Sequence, residues 1–329
     1  DPKAREMFYK KALFWKVTRD FMLKNGFLEV ETPVLENVTG GADANPFVTH
    51  HDALDIDIYL RISMGELWQK RMLVGGFEKT FEIGRQFRNE GISHEHLQDY
   101  TQMEFYWSYA NYEDGMKLVE KLYREIARKT FGTTKFKIGD FSVDLGDSWP
   151  RIDYVSVIKE KLGIDVLEAD NKAIVEKLKK LKIDYDKSDR RGRLIDKLWK
   201  HIRLTVAGPA FLVNHPVEVS PLAKRKSDDP RLVERFQIIL AGSEMGNGYS
   251  ELNDPFDQAG RFVEQAKMRE EGDKEAQMHD QDFVEALGYG MPPAVGFGFS
   301  ERLFSFLINK PARECVMFPL LRPERTKSD

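Results

Sequence analysis

The stretch FEIGRQFRNEGISHEHLQDYTQMEFYW, residues 81–107, decides how the chain is read. It sets Arg85, Arg88, Glu90, His94, Glu95, His96, Asp99 and Glu104 into text that otherwise reads as two β-strands. A strand packed on a core keeps charge off at least one face. Strand alternation puts Arg88 and Glu90 on one face and Phe87 and Asn89 on the other. HEHLQDY is too polar for a buried strand and reads as a hairpin loop leading to Tyr100. A guanidinium fork, a carboxylate and an aromatic face at a loop mouth suit a nucleotide. A solvated hairpin with surface ion pairs uses the same residues.

Composition narrows the classes. The 329 residues allow one large domain or two ordinary ones. Hydrophobic residues at 41 % and charged residues at 32 % describe a soluble globular chain. A net charge of −4 excludes a molecule that is basic overall, so any nucleic-acid footprint is local. The single Cys315 precludes an internal disulfide framework and suits a reducing, cytoplasmic compartment. No apolar run approaches the roughly 20 residues of a membrane helix, so no membrane partner is expected.

Outward from the opening stretch, Leu13, Val17 and Phe21 recur at helical spacing until Asn25-Gly26. FLEVETPVL alternates and reads as a strand, with Pro33 at an edge or an end. NVTGGADANPF is a loop, DIDIYLRIS a strand and GELWQKRMLVGG a short helix, and a longer helix runs from about 113 to 130. Residues 131–205, with KAIVEKLKKLK and DYDKSDRRGR, read as a mostly helical insertion. Strands resume with AFLVNHPVEVS, RFQIILAGSEMGNGYSELND and AVGFGFSERLFSFLI. Strands at both ends and helices between them predict an α+β fold, an antiparallel sheet flanked by helices.

Two further clusters carry chemistry. GSEMGNGYSELND gathers Glu244, Asn247, Tyr249 and Glu251 among glycines that permit close backbone approach. Its carboxylates suit either Mg²⁺ on a triphosphate or a cationic ligand; an edge strand with bulges has the same composition. AVGFGFSERL is a strand entering a helix with Arg302 in its first turn, where anions are favoured. GxGxxG, GxxxxGK[ST], HExxH, CxxC and GxSxG are all absent, and the neighbouring His50-His51 reads as structural.

Together these segments resemble the signature set of class II aminoacyl-tRNA synthetases. GFLEVETPVL is similar to motif 1, FRNE with TQMEFY to motif 2, and GFGFSERL to motif 3. GGADANPFVTHHDALDIDIYLRI, VGGFEKTFEIGRQFRNEGIS, PVEVSPLAK and SELNDPFDQAGRF resemble the lysyl-tRNA synthetase subgroup, across nearly the whole chain. The resemblance implies a catalytic domain over 1–329, with 131–205 inserted in it, that activates L-lysine with ATP and charges the acceptor end of tRNA(Lys). It implies Arg88 on the α-phosphate and the lysine carboxylate, and Arg302 on the γ-phosphate. Glu90 and His96 would lie near the nucleotide, and Tyr100 on adenine. Glu244 matches a Mg²⁺ ligand. For lysine it implies Gly41 and Glu66 at the α-amino end, and Glu104, Tyr106, Asn247, Tyr249 and Glu251 around the side chain. Glu251 and Tyr106 are the choice for the ε-ammonium, because an unpaired buried charge is costly. It also implies a homodimer through motif 1.

Departures from the pattern have consequences. The family usually places a second carboxylate metal ligand where Gln237 stands; Gln offers a neutral oxygen, implying fewer or weaker Mg²⁺ sites. Leu97-Gln98 replace the usual Asn-Pro, removing an adenine contact, and motif 3 has Ser300-Glu301 where Gly-x-Asp is common. The anticodon-binding OB domain of a full synthetase is expected to be absent from this chain. The expectation therefore divides between a truncated enzyme and a short paralogue that lysylates a translation factor, with a non-catalytic homologue disfavoured by the retained arginines and carboxylates. The basic stretch KLKKLKIDYDKSDRRGR reads as a solvated insertion more readily than as a contact to the tRNA acceptor arm.

Overall fold

The computed structural model describes residues 1–42, 44–91, 93–186, 189–270 and 278–321. Asp43, in the NVTGGADANPF loop, Ile92, in the opening stretch, and Lys187 and Ser188, in the basic stretch, lie outside the described residues. The first half runs α1 (Pro2–Lys24), β1 (Leu28–Glu29), β2 (Leu35–Glu36), β3 (Val48–His51), β4 (Ile56–Leu60), α2 (Glu66–Val74), β5 (Lys79–Phe87), β6 (Asp99–Ser108) and α3 (Tyr112–Ile126). Then come β7 (Lys135–Ile138), β8 (Phe141–Asp144), β9 (Arg151–Asp153), α4 (Tyr154–Leu162), α5 (Asn171–Lys180) and α6 (Arg191–Arg203). The last part holds β10 (Ala210–Pro216), β11 (Leu232–Leu240), β12 (Ser243–Ser250), α7 (Pro255–Glu270), α8 (Gln281–Gly288), β13 (Ala294–Ser300) and α9 (Arg302–Leu307).

Eight strands form one sheet in the order β1-β5-β6-β13-β12-β11-β10-β9. Only its outermost pairs, β1 with β5 and β9 with β10, are parallel. The register makes the two faces unlike. Phe81 pairs with Phe105, Phe105 with Phe297, Phe297 with Gly248, and Gly248 with Phe236. One residue along, Glu82, Glu104, Gly298, Asn247 and Gln237 form the next row. Because side chains alternate along a strand, the aromatic row faces one way and the polar row the other.

The aromatic face holds the molecule together. Phe14, Val17 and Phe21 of α1 and Met116, Val119, Leu122 and Tyr123 of α3 pack on it in one core. Phe236 and Phe297 stack at 5.6 Å between centroids, and Tyr123 meets Phe297 edge-on at 6.3 Å. Each such ring stabilises by about 1.5–3 kcal/mol when buried. The polar row forgoes that gain in the open middle of the sheet, which leaves that part of the face free for chemistry. Asn111 starts α3 with a capping box closed by Asp114, which sets where this covering helix begins.

On the polar face, two helical groups flank the open middle. Leu67, Phe262, Phe283 and Leu287 from α2, α7 and α8 cluster with Tyr106 at one side. Residues of α4, α5 and α6, with Trp199 fully buried, cluster with Leu212 and Ile239 at the other. Leu212 sits in the Gln237 row, so the segment 154–203 forms a wall of the same face.

Several local expectations are corrected. FLEVETPVL is not one strand: only Leu28–Glu29 and Leu35–Glu36 pair, and they join different sheets with Pro33 between them. Pro33 lacks the N–H that a continuous ladder needs. Arg88 and Glu90 lie beyond the end of β5, in the hairpin loop, so strand alternation does not place them. The helix expected at 113–130 is α3, followed by a π-turn over Ala127–Phe131. Residues 135–153 of the segment read as mostly helical contribute the β7–β8 hairpin and the edge strand β9. β12 is an interior strand between β13 and β11, not an edge.

Candidate active site

A cavity of about 360 Å³ opens on the polar face. Gly41, Glu66, Arg88, Glu90, His96, Tyr100, Glu104, Tyr106, Gln237, Glu244, Asn247, Tyr249, Glu251 and Arg302 all line it. β6, β12 and β13 supply its floor, α2 one wall, and the β5–β6 loop and α9 the rim.

One end is a buried acidic cluster. Glu66, Glu104 and Glu251 are 3 %, 7 % and 1 % exposed. Tyr106 and Tyr249 flank Gly296 in the sheet register. A Cβ at Gly296 would overlap Glu251 Oε1 and come 2.7 Å from the Tyr106 ring, so the strand has glycine where the two side chains need its space. Glu104 accepts from Met64 N at 3.1 Å, Gln102 Nε2 at 2.5 Å and Tyr106 Oη at 3.0 Å. Tyr249 Oη donates to Glu66 Oε1 at 2.6 Å. Burial, then the charge of Glu66, raises the Glu104 carboxyl to about 7. Burial raises Glu251 to about 8 against the pull of Lys70. Gly41, with φ +85°, turns tightly against this cluster; a Cβ there would stand 2.9 Å from Glu66 Cβ.

The other end is basic and aromatic. Arg88 Nε donates to Ile62 O at 3.2 Å, and its guanidinium stands 5.8 Å from the Tyr100 ring centroid. The Arg88 backbone N–H closes the hairpin loop onto Gln98 O. Arg302 donates to the Glu244 backbone carbonyl and faces Glu95 Oε2 at 3.5 Å. His96 Nδ1 lies 2.7 Å from Ser93 Oγ. Partial burial, then the Arg302 charge, holds the His96 imidazole below its usual range, so it is neutral at pH 7. Glu90 borders the same rim.

The family whose description is tRNA synthetases class II (D, K and N) matches residues 1–322. The chain belongs to that class II tRNA synthetase family. The "Lysine--tRNA ligase" of Thermosipho africanus is 51% identical over 310 residues, covering 94% of this chain and 61% of that protein. That of Thermotoga maritima is 47% identical over 329 residues, covering 99% of this chain and 65% of the relative. The chain thus spans a little under two thirds of these curated relatives. Among the described residues no helix is long and apolar enough to cross a membrane.

For a class II synthetase the magnesium question falls on Glu244. Its Oε1 accepts from Trp199 Nε1 at 2.9 Å and its Oε2 from Gln237 Nε2 at 3.2 Å. Gln237 was expected to turn an oxygen to the metal. In the structure its Oε1 faces His215 Nε2 at 3.0 Å while its Nε2 donates to Glu244. Burial, then the charge of Arg235, keeps His215 neutral. Among the described residues no three His, Cys, Asp or Glu side chains group to hold a metal. A Mg²⁺ ion on a bound triphosphate would need most of its ligands from phosphate and water, with Glu244 as the candidate carboxylate.

Several site residues carry no signal of their own in the sequence. Lys70 follows Glu66 by four residues, a spacing shared with ordinary surface pairs. Arg235 holds Asn247 Oδ1 at 2.8 Å and is itself anchored on Val219 O and Ser220 Oγ. Its position two before Gln237 on one strand face was the only clue. Trp199 reaches Glu244 from 45 residues away, which spacing cannot reveal.

Proposed function

We propose that the chain is the catalytic part of a lysine–tRNA ligase, with 131–205 inserted in the catalytic domain. It activates L-lysine with ATP to lysyl-adenylate and passes the lysyl group to the 3′ end of tRNA(Lys). The acidic cluster carries this reading. In a family whose members are labelled D, K and N, three buried carboxylates in one pocket repel an aspartate side chain and leave an asparagine side chain with no charge to offer. Two ammonium groups on the ligand fit them. Relatives at 47–51% identity bear the same name.

In this mechanism the lysine carboxylate attacks the α-phosphorus and pyrophosphate leaves, so no protein nucleophile is required. Two anions must meet in line. Arg88, held by the Ile62 carbonyl beside Tyr100, neutralises both and fixes their geometry. Arg302 takes the distal phosphate, Tyr100 stacks on adenine, and Glu90 and His96 border the nucleotide. Glu244 would hold Mg²⁺, which would supply charge neutralisation on the triphosphate. Glu66 and Gly41 receive the α-amino end, while Glu104, Tyr106, Asn247, Tyr249 and Glu251 enclose the side chain.

Lysine-dependent ATP–pyrophosphate exchange tests the reading. Exchange with lysine and none with aspartate or asparagine is expected; the reverse preference would sink it. Lysylation of a protein acceptor in place of tRNA by the same preparation would move the second step to a different substrate. The reading extends to a homodimer through motif 1, where Leu28, Val34 and Leu35 are 49 %, 39 % and 51 % exposed. A monomeric mass in solution would remove that part.

A further inference from the structure

Lys70 lies in the acidic cluster. Its side chain has no exposure, and its Nζ stands 2.6 Å from Glu66 Oε1 and 2.5 Å from Glu251 Oε2. Its ammonium also lies 5.7 Å from the Tyr249 ring centroid and 5.8 Å from that of Phe283. Among the described residues it stands against Glu66 on its own helix α2, Tyr249 on β12, Glu251 just past β12 and Phe283 on α8; α2 also packs on β5, where Thr80 bonds Gln69, and on β6, whose Glu104 and Tyr106 belong to the same acidic cluster. The titratable groups among these are Glu66, Glu104, Glu251 and the two tyrosines.

With all three ionised, Glu66, Glu104 and Glu251 set against the one internal ammonium of Lys70 leave the cluster short of two positive charges. Free lysine carries two ammonium groups. We propose that Lys70 is a specificity-determining residue of the amino-acid pocket, a fixed counter-cation that sets this deficit to match a diamino acid. The inference rests on the proposed lysine substrate. A buried ion pair is not by itself evidence of function, since many such pairs are replaceable by apolar residues. What singles this one out is the shared partners: both carboxylates it touches are the ones that line the ligand cavity.

The consequence is a pH dependence with a definite sign. Buried carboxylates short of cations take up protons, and Glu104 and Glu251 are raised to about 7 and about 8. A cationic ligand needs their ionised forms, so lysine affinity rises as pH rises from 6 to about 8.5. Lys70 is the largest influence pulling Glu251 down. Removing its charge moves the rise to higher pH.

The test is the KM for lysine in ATP–pyrophosphate exchange between pH 6.5 and 9, for the whole chain and for Lys70→Met and Lys70→Gln. The glutamine variant keeps N–H donors for the two carboxylates and separates charge from hydrogen bonding should the methionine variant fold poorly. Expected is a rise in lysine KM of at least about tenfold at pH 7, shrinking markedly by pH 9, with the KM for ATP unchanged. A deficit equal at both pH values, or no deficit in the glutamine variant, overturns the inference and assigns Lys70 to structure. If the unmodified chain shows no lysine-dependent exchange, the substrate reading fails first and this inference goes with it.

Discussion

Arg88→Ala should lower kcat/KM for lysine-dependent ATP–pyrophosphate exchange by about a thousandfold or more. Losing a single donor aimed at developing charge costs about 10²–10³ in rate. In the proposed mechanism Arg88 serves two anions at once, the attacking carboxylate and the phosphate it attacks. Its side chain is fixed by the Ile62 carbonyl and the Tyr100 ring, so the fork is in position before substrate arrives. Lysine at this position keeps a charge but loses the planar fork, so Arg88→Lys should recover little of the rate. Thermal unfolding should shift little, because Arg88 is only half-buried and lies in a loop past the end of β5. A variant within tenfold of the unmodified chain would remove Arg88 from the centre of the mechanism.

Glu251→Gln should raise the KM for lysine by about a hundredfold or more and leave the KM for ATP unchanged. Removing one partner of a buried charge costs about 3–5 kcal/mol, and Glu251 is 1 % exposed. Two ammonium groups depend on it in the proposed complex, the internal one of Lys70 and the ε-ammonium of the substrate. Gly296→Ala should act in the same direction without touching a charge, since its methyl would overlap Glu251 Oε1. Equal increases in the KM for lysine and ATP would point to general distortion of the sheet, and the assignment of Glu251 to the amino-acid end would fail.

The candidate site was legible where local text carries the chemistry. Arg88, Tyr100 and Glu104 sit in one hairpin, and Glu244, Asn247, Tyr249 and Glu251 in one strand with its exit. Arg302 follows a strand into a helix. Each group is close in sequence, so motif order alone could assemble them. Even there strand alternation misplaced Arg88 and Glu90, because β5 ends at Phe87 and turn geometry takes over. FLEVETPVL alternated well enough to read as a strand, yet tertiary pairing used only its two ends.

The amino-acid sequence by itself determined the family, the ordered motifs, and the alternation that gives β5, β6 and β13 one aromatic and one polar side. Those are local properties, set by residue type and a repeat of two. Only the tertiary structure decided which polar side chains meet. Tyr249 bonds Glu66 across 183 residues of chain, and Lys70 lies between Glu66 and Glu251. Gln237 turns its amide group between His215 and Glu244, and Trp199 comes from a separate helical wall to the same carboxylate. Such contacts follow from strand register and helix packing, where each buried polar atom must find a partner wherever the fold delivers one.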